Sequence, residues 1–259
     1  MRDSRVKPCA IAPRYEMSYW FRLPKRKCLD VFSNAVCNQA PVLEVRHEWS
    51  CYTAQLLGKR VIDFLGTGLG ILLLAPLMLA IALLIRLDSP GSIFFRQQRL
   101  GRGGKHFLMW KFRTMEVNAE ERLKELEHLN ESEGGVLFKI KEDPRVTSIG
   151  KFLRRTSLDE LPQLFNVLQG HLSLVGPRPL QLRDYALAMA IKANRDFLAK
   201  RMTLMPGVTG LWQVSGRSEV GFDNMLRLDM SYIDDWSLWL DLRIIWQTIV
   251  VVLTSKGAY

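Results

Sequence analysis

The longest apolar segment of the chain, FLGTGLGILLLAPLMLAIALLI, spans the 22 residues from Phe64 to Ile85 without a charged side chain. As one straight α-helix it would be about 33 Å long, enough to cross a bilayer core of about 30 Å. Pro76 lies near its middle, and a proline inside a helix removes a backbone hydrogen bond and bends or breaks the helix. A break there would leave two arms of about 11 residues, each about 17 Å long.

Basic residues flank the apolar segment on both sides. They are Lys59 and Arg60 before it, and Arg86, Arg96, Arg99 and Arg102 after it. An apolar run of this length is by default a transmembrane helix. Because cytoplasmic flanks carry the excess of Lys and Arg, both ends are instead expected on the cytoplasmic side. Together with Pro76, the flanks predict a re-entrant helix-break-helix hairpin that enters and leaves the membrane by one face.

The glycines of GTGLG, at positions 66–70, do not predict a dinucleotide site. Their spacing is GxGxG rather than GxGxxG, and a leucine-rich run follows them instead of an amphipathic crossover helix. Small residues at this spacing more simply allow close helix packing.

The rest of the chain has shorter periodic segments, typical of a mostly helical α+β fold. SIFFRQQRLG and HFLMWKFRTM flank a glycine turn and predict a β-hairpin. Helices are predicted near residues 116–133, 147–155, 158–169, 180–200, 222–234 and 236–253. The last segment, WSLWLDLRIIWQTIVVVL, is amphipathic and carries three tryptophans. Such a face suits a membrane interface, and core packing explains it equally well.

The charge balance narrows the class of partner. The 36 Lys and Arg residues against 26 Asp and Glu give a net charge of +10, which favours nucleic acid, an anionic membrane or a phosphorylated substrate. The uncharged 22-residue run argues against a basic nucleic-acid-binding protein. All four cysteines lie in the first 51 residues without a CxxC pair, so a zinc site is not expected.

Two adjacent carboxylates, Asp159 and Glu160, occur in the motif RRTSLDELPQL. Ser157, three residues before Glu160, fits a capping box, and acidic residues in a first helical turn are stabilised by the helix dipole. The motif therefore predicts a helix start near residue 158. Because helix N-termini also bind phosphate, a structural and a chemical role for the pair are both open at this point.

Arginines recur in short, turn-like motifs. They are Arg113 in KFRTM, Arg145 in DPRVT, Arg178 in GPRP and Arg217 in SGR. The prolines on both sides of Arg178 fix its backbone, so its guanidinium is suited to bidentate phosphate binding. Any one of these arginines could instead be paired with a carboxylate. Four of them, beside an apolar hairpin and a carboxylate pair, indicate phosphate chemistry at a membrane surface.

Several long motifs follow one another in the chain. They are KRVIDFLG, FFRQQRLGRGGKHFLMWKFRTM, DPRVTSIGKFL, RRTSLDELPQLFNVLQGHLSLVGPRPL, PGVTGLWQVSGRS and YIDDWSLWLDLRIIWQT. In this order they resemble the bacterial sugar transferases, the monotopic phosphoglycosyl transferases, from about Leu56 onward. The first 55 residues do not resemble the four-helix membrane region of long-form members, which indicates a small-form enzyme. Met205 is a departure, since members usually have a basic or small residue there.

The resemblance implies transfer of a sugar-1-phosphate from a UDP-sugar to undecaprenyl phosphate, with release of UMP. This is the first membrane step of exopolysaccharide, capsule or O-antigen synthesis. Asp159 would be the nucleophile that forms a covalent phosphosugar intermediate, and Mg²⁺ would lie near Asp159 and Glu160. We expect the substrate to be bound by Arg113, Arg145, Arg155, Arg178, Gln213 and Arg217.

On this interpretation, residues 1–55 are an extension of unassigned role, residues 56–87 form the membrane hairpin, and residues 88–259 form a cytoplasmic catalytic domain with an interfacial C-terminal helix. The protein would reside at the bacterial inner membrane, with UDP-sugar, undecaprenyl phosphate and membrane lipids as partners and no nucleic acid. The identity of the sugar and a possible homo-oligomer are left open. The alternative is a non-catalytic membrane assembly protein, which UMP release would exclude.

Overall fold

The computed structural model describes residues 42–119, 121–122, 140, 142–216 and 220–254, with side chains from residue 54 onward. The helices in this part of the chain are α1 (Val42–Asp88), α2 (Ser148–Thr156), α3 (Gln163–Leu168), α4 (Leu182–Ala190), α5 (Arg195–Arg201), α6 (Leu211–Val214), α7 (Phe222–Asp234) and α8 (Leu238–Thr254). The strands are β1 (Phe94–Leu100), β2 (His106–Phe112), β3 (Ser173–Val175) and β4 (Gly207–Thr209), in two separate two-stranded sheets. The predicted mostly helical α+β class is confirmed.

The apolar segment lies within α1, a single helix of 47 residues that includes Pro76. The break in secondary structure that we predicted at this proline is therefore wrong. Proline removes one N–H from the helix, and the other backbone groups of an apolar stretch have no better partners than each other, so the helix continues. Among the described residues, Ala54–Asp88 is the stretch long and apolar enough to cross a membrane. Of its most apolar 18 residues, 17% are buried.

One stripe of α1 packs against the rest of the protein. Its buried side chains are Asp63, Thr67, Met78, Ile81 and Ile85, at helical spacing. The last three of these form a core cluster with Phe112 and Leu153. The opposite face exposes its leucines, among them Leu65 at 70%, Leu72 at 73% and Leu79 at 72%. The helix thus has a protein-facing stripe and a wide apolar face that the protein leaves uncovered.

The predicted β-hairpin is confirmed. Strands β1 and β2 are antiparallel, in a register that pairs Phe94 with Phe112 and Leu100 with His106. Phe107 and Met109 alternate on the buried face of β2 and pack with residues from α3 and β3. The hairpin therefore links the exit of α1 to the centre of the domain.

The predicted helices are recovered, except that two segments are divided. The segment predicted as one helix over 158–169 is a 3₁₀ turn, Leu158–Glu160, followed by α3. Segments 147–155, 222–234 and 236–253 correspond to α2, α7 and α8, and Thr147 caps α2 by accepting a hydrogen bond from Gly150 N over 3.0 Å. The segment predicted as one helix over 180–200 is two helices, α4 and α5, because Ile191 between them has an extended backbone with ψ of 109°. Most of the acid-rich helix predicted over 116–133 lies outside the described residues.

The second sheet brings two glycine-containing loops into backbone contact. Strands β3 and β4 are parallel, with Ser173 beside Gly207 and Val175 beside Thr209. A Cβ atom added to Gly207 would lie 2.1 Å from the backbone nitrogen of Gly176. Only glycine allows this approach, which fixes the GPRP loop after β3 against the PGVTG loop around β4.

Two glycine-to-alanine substitutions in helices test a second close approach, that of α2 to the backbone of Thr114. Gly150→Ala should lower the free energy of unfolding by about 1–3 kcal/mol, because the new Cβ would lie 2.1 Å from the carbonyl oxygen of Thr114. Gly68→Ala is the matched control, since it meets no atom within 4 Å and alanine favours a helix. Chemical denaturation in detergent measures both. Equal stabilities of the two variants would contradict the close approach of α2 to Thr114.

Candidate active site

The adjacent carboxylates lie in a tight connection between two helices. Helix α2 ends at Thr156, Ser157 adopts a left-handed conformation with φ of 58°, and Leu158–Glu160 form a 3₁₀ turn before α3 begins at Gln163. The predicted capping box is wrong, because the Ser157 side chain caps no N–H group. Its backbone instead closes the C-terminus of α2, where a left-handed residue is the usual terminator, and its carbonyl accepts from Glu160 N to open the 3₁₀ turn.

Glu160 is bound by two cations. Arg178 Nη2 and Lys111 Nζ donate to Glu160 Oε1 over 2.6 and 2.7 Å, and Arg178 Nη1 reaches Oε2 over 3.3 Å. Asp159 is buried at 8% exposure, and its Oδ2 lies 3.7 Å from Lys111 Nζ. The two carboxylates therefore share one cluster of positive charge, and the shorter contacts of Lys111 and Arg178 are with Glu160.

The two carboxyl groups differ in acidity. Burial raises the pKa of Asp159, and the neighbouring Glu160 carboxylate adds to the rise, against the opposing charges of Lys111 and Arg154. Burial acts in the same direction on Glu160, but the charges and hydrogen bonds of Arg178 and Lys111 outweigh it and hold the pKa of Glu160 well below its usual range. Glu160 is thus held in its ionised form, and Asp159 carries the more basic of the two carboxyl groups.

The backbone of the GPRP loop is held at every carbonyl from residue 177 to residue 180. The donors, in that order, are Gly207 N, Arg201 Nη2, Arg99 Nη1 and Leu100 N, over 2.7 to 3.2 Å. Arg201 is itself paired with buried Asp229, with 2.8 Å between Nε and Oδ2. Because the loop is fixed in this way, the Arg178 guanidinium reaches Glu160 from a rigid base. A pocket beside the loop is lined by Arg178, Tyr185 and Met202 among others.

The other predicted substrate-binding residues do not gather around Asp159 and Glu160. Arg113 is buried and donates to Ser89 O, Ser89 Oγ and Pro90 O, and Arg145 forms a bidentate pair with Asp143. The guanidinium of each is thus bonded to a loop of the protein itself.

Three further predicted residues have separate outcomes. Arg155 is exposed on α2, whereas its neighbour Arg154 donates to Thr114 Oγ1 over 3.0 Å and directs its charge towards Asp159. Gln213 donates to the carbonyl of Val208 over 2.9 Å. Arg217 lies outside the described residues.

Four basic residues near the site were not among those predicted from the sequence: Lys111, Arg154, Arg99 and Arg201. Lys111 could have been found, because it continues the buried alternation of Phe107 and Met109 along β2, and a lysine on a buried face needs an acidic partner. Arg154 could have been found from its place beside the carboxylate motif. Nothing local distinguishes Arg99 or Arg201, whose partners are the carbonyls of a loop about 80 and 23 residues away in sequence.

Residues 54–255 match the family model described as bacterial sugar transferase, and this range contains Asp159 and Glu160, the GPRP loop and most of α1. The chain belongs to this family. Among its relatives is the galactosyl transferase CpsE of Streptococcus agalactiae, 42% identical over 79% of this chain and 44% of CpsE. The undecaprenyl-phosphate galactose phosphotransferase of Salmonella typhimurium is 42% identical over 78% of this chain and 41% of that protein.

A shorter relative is covered almost throughout. The exopolysaccharide production protein ExoY of Rhizobium meliloti is 39% identical over 78% of this chain and 88% of ExoY. The chain thus spans less than half of the length of CpsE and of the Salmonella typhimurium phosphotransferase, and most of the length of ExoY. The shared region in each case is the size of the bacterial sugar transferase match.

Arg113 is bonded to backbone and side-chain oxygens of the protein, whereas Arg178 is paired with Glu160. This difference can be tested by stability measurements without a ligand. Arg113→Lys should lower the free energy of unfolding by about 1–3 kcal/mol, because a lysine cannot satisfy the Ser89 and Pro90 oxygens together. Arg178→Lys should lower it by less than about 1 kcal/mol, since a lysine keeps an ion pair with the partly exposed Glu160. Urea denaturation of both variants measures the difference. A larger loss in Arg178→Lys would reverse the two roles.

Proposed function

We propose that the protein transfers a sugar-1-phosphate from a UDP-sugar to undecaprenyl phosphate and releases UMP. The observation that carries this proposal is the unequal carboxylate pair, in which Lys111 and Arg178 hold Glu160 and leave the more basic Asp159 beside the same positive charge. The names of relatives, among them the undecaprenyl-phosphate galactose phosphotransferase of Salmonella typhimurium, support the same substrate classes.

In the proposed first step, a carboxylate oxygen of Asp159 attacks the phosphorus that carries the sugar. A bond forms between that phosphorus and the aspartyl oxygen, the bond from the phosphorus to the bridging oxygen breaks, and UMP leaves with this oxygen. Arg178 and Lys111 lie where they can balance the charge of the pyrophosphate. A covalent intermediate divides one difficult displacement into two easier ones.

In the second step, a phosphate oxygen of undecaprenyl phosphate attacks the same phosphorus. The aspartyl–phosphorus bond breaks, the Asp159 carboxylate is regenerated, and the lipid-linked sugar pyrophosphate leaves. Each displacement releases a stable anion, so no additional reactant is required. The buried position of Asp159 protects the intermediate from water, which would otherwise hydrolyse it.

The donor set of the site is compatible with the expected Mg²⁺. Among the described residues, no group of three or more His, Cys, Asp and Glu side chains could hold a metal ion. Mg²⁺ is commonly bound by one or two carboxylates together with waters and substrate phosphates, and Asp159 with Glu160 supplies that number. When bound there with the nucleotide, it would neutralise charge on the pyrophosphate.

The membrane attachment that we propose has both ends of the apolar segment of α1, residues 64–85, on one side of the bilayer. Leu56 packs just before this segment with the cluster of Met230 and Ile233, and Ile85 packs at its end with Phe112. A helix that crossed the bilayer could not keep both ends in contact with a domain on one side. The uncovered leucine face of α1 would be embedded instead.

Helix α8 extends this apolar surface. Its most exposed large side chains are Trp239 at 76%, Trp246 at 67% and Leu253 at 79%, each seven residues after the one before and so on one face of the helix. Leu238, at the start of α8, lies against Gly58 of α1. We propose that α8 lies in the membrane interface, at the cytoplasmic face of the bacterial inner membrane.

The proposed reaction is tested by UMP release from a panel of UDP-sugars with undecaprenyl phosphate and Mg²⁺. Asp159→Asn should lower turnover by several orders of magnitude with an unchanged thermal melt, because an amide cannot form a stable phosphosugar adduct. Asp223→Asn is the matched control: Asp223 is an exposed first-turn acid of α7, and a helix-dipole role is worth under about 1 kcal/mol. An active Asp159→Asn enzyme would exclude Asp159 as the nucleophile.

The role of Arg178 in substrate binding is tested by kinetics. Arg178→Lys keeps the positive charge but loses the guanidinium fork, and we expect kcat/KM for the UDP-sugar to fall at least about tenfold, which is about 1.4 kcal/mol. Arg183→Lys, on α4, is a control for arginine replacement as such. Wild-type kinetics in Arg178→Lys would leave that arginine with only its ion pair to Glu160.

The topology is tested by labelling in a variant without the four native cysteines. Leu57→Cys and Ser92→Cys introduce exposed thiols before and after the apolar segment. Both should react with an impermeant maleimide from the cytoplasmic side only, as should Lys105→Cys on the hairpin turn, which serves as the reference for the domain. Periplasmic labelling of residue 57 or residue 92 would establish a transmembrane span.

A further inference from the structure

Strand β3 has one edge that no other strand covers in the part of the chain that the structure describes. It is three residues long and pairs with β4 on one side, where Ser173 N donates to Pro206 O and Gly176 N donates to Thr209 O, both over 2.9 Å. The backbone groups of Leu174 point the opposite way, as alternate residues of a strand do. A buried strand edge needs hydrogen-bond partners, because unpaired backbone groups away from water are costly.

Asp63 of α1 supplies a partner for the N–H group of Leu174, and two further bonds join α1 to this strand. Asp63 Oδ1 accepts from Leu174 N over 2.9 Å and from Ser173 Oγ over 3.0 Å, and Lys59 Nζ donates to Val175 O over 2.8 Å. Three consecutive residues of β3 are therefore bonded to two residues one turn apart on α1. Asp63 and Ser173 are 2% and 0% exposed, so water does not compete for these bonds.

The strand leads directly into the loop that carries Arg178. Only Gly176 and Pro177 separate Val175 from that arginine, and the prolines on both sides of Arg178 limit the freedom of its backbone. A displacement of β3 would therefore be passed to the guanidinium that binds Glu160. Since productive geometry must hold within fractions of an ångström, a small displacement is enough to reduce catalysis.

We infer that Asp63 is a positioning residue of the active site, which sets Arg178 by holding the free edge of β3. This inference rests on the proposed function for its kinetic consequence, but not for the contact itself. It gives α1 a second role, because the helix whose apolar face meets the membrane also orients a phosphate-binding arginine. Asp63 touches neither substrate nor reacting atoms in this arrangement.

The kinetic test combines Asp63→Ala with Arg178→Lys in a double-mutant cycle on kcat/KM for the UDP-sugar. Asp63→Ala alone should lower kcat/KM at least about fivefold. Because it acts through Arg178, the double variant should be little worse than Arg178→Lys alone. Asp63→Asn, which retains the Oδ1 acceptor, should recover most of the activity. A loss that multiplies with Arg178→Lys, or wild-type activity in Asp63→Ala, would overturn the inference.

Thr67→Val is the matched control. Thr67 lies one turn after Asp63 on the same buried stripe of α1, and its hydroxyl has no hydrogen-bond partner among the described residues. Its removal tests whether any change in this stripe reduces activity, and we expect wild-type kcat/KM.

Ser173→Ala is the alternative variant if Asp63→Ala does not accumulate as a folded protein. It removes one of the two bonds that Asp63 accepts without altering α1. We expect a smaller loss of kcat/KM, and no further loss when it is combined with Arg178→Lys.

Hydrogen–deuterium exchange separates this inference from the proposed reaction. Asp63→Ala should speed exchange in peptides that cover residues 173–180, while Asp63→Asn and Thr67→Val leave it unchanged, whether or not the protein turns over a UDP-sugar. If the wild type releases no UMP but exchange responds in this way, the proposed function fails, while the role of Asp63 in holding β3 stands. Unchanged exchange in Asp63→Ala would show that Asp63 does not hold β3.

Discussion

The ion pairs on Glu160 are the interaction on which the candidate active site depends. Glu160 comes from the turn between α2 and α3, Lys111 from β2, and Arg178 from the loop after β3. One carboxylate thus joins three parts of the chain that are distant in sequence. Partly buried ion pairs are weak sources of stability, because desolvation and solvent screening offset much of their attraction. Here they keep two cations in position beside Asp159, where the pyrophosphate of the proposed substrate would compete for them.

Helix α1, which we propose faces the membrane, belongs to the core of the domain rather than to a separate anchor. Its buried stripe contributes to the cluster around Phe112, and its polar residues Lys59 and Asp63 bind β3. Lys59 also pairs with Asp241 of α8, which in turn accepts a hydrogen bond from Tyr232. Because these contacts run from α1 to α8 and to the GPRP loop, the surface proposed to meet the lipid and the site proposed to perform chemistry share one rigid framework.

Much of this arrangement could be predicted from the sequence, and the exceptions have physical reasons. The β-hairpin and α7 follow from strong local periodicity, and the carboxylate motif is distinctive enough to single out Asp159 and Glu160. The continuity of α1 through Pro76 could not be predicted, since it depends on how an apolar environment penalises unpaired backbone groups. The capping box failed because Ser157 has a left-handed backbone rather than the extended one of a capping residue, and its side chain caps no N–H group. The support of the GPRP loop by Arg99 and Arg201 arises only from tertiary contacts.

The central claim is that Asp159, freed by the cations on Glu160, forms a covalent bond to the sugar phosphate. Intact-protein and peptide mass spectrometry after incubation with UDP-sugar and Mg²⁺, without a lipid acceptor, tests it most directly. The account requires a mass increase of one sugar phosphate located on Asp159, which is lost when undecaprenyl phosphate is added and is absent in Asp159→Asn. Release of UMP only after addition of the acceptor, with no labelled protein at any time, would show direct transfer and contradict it.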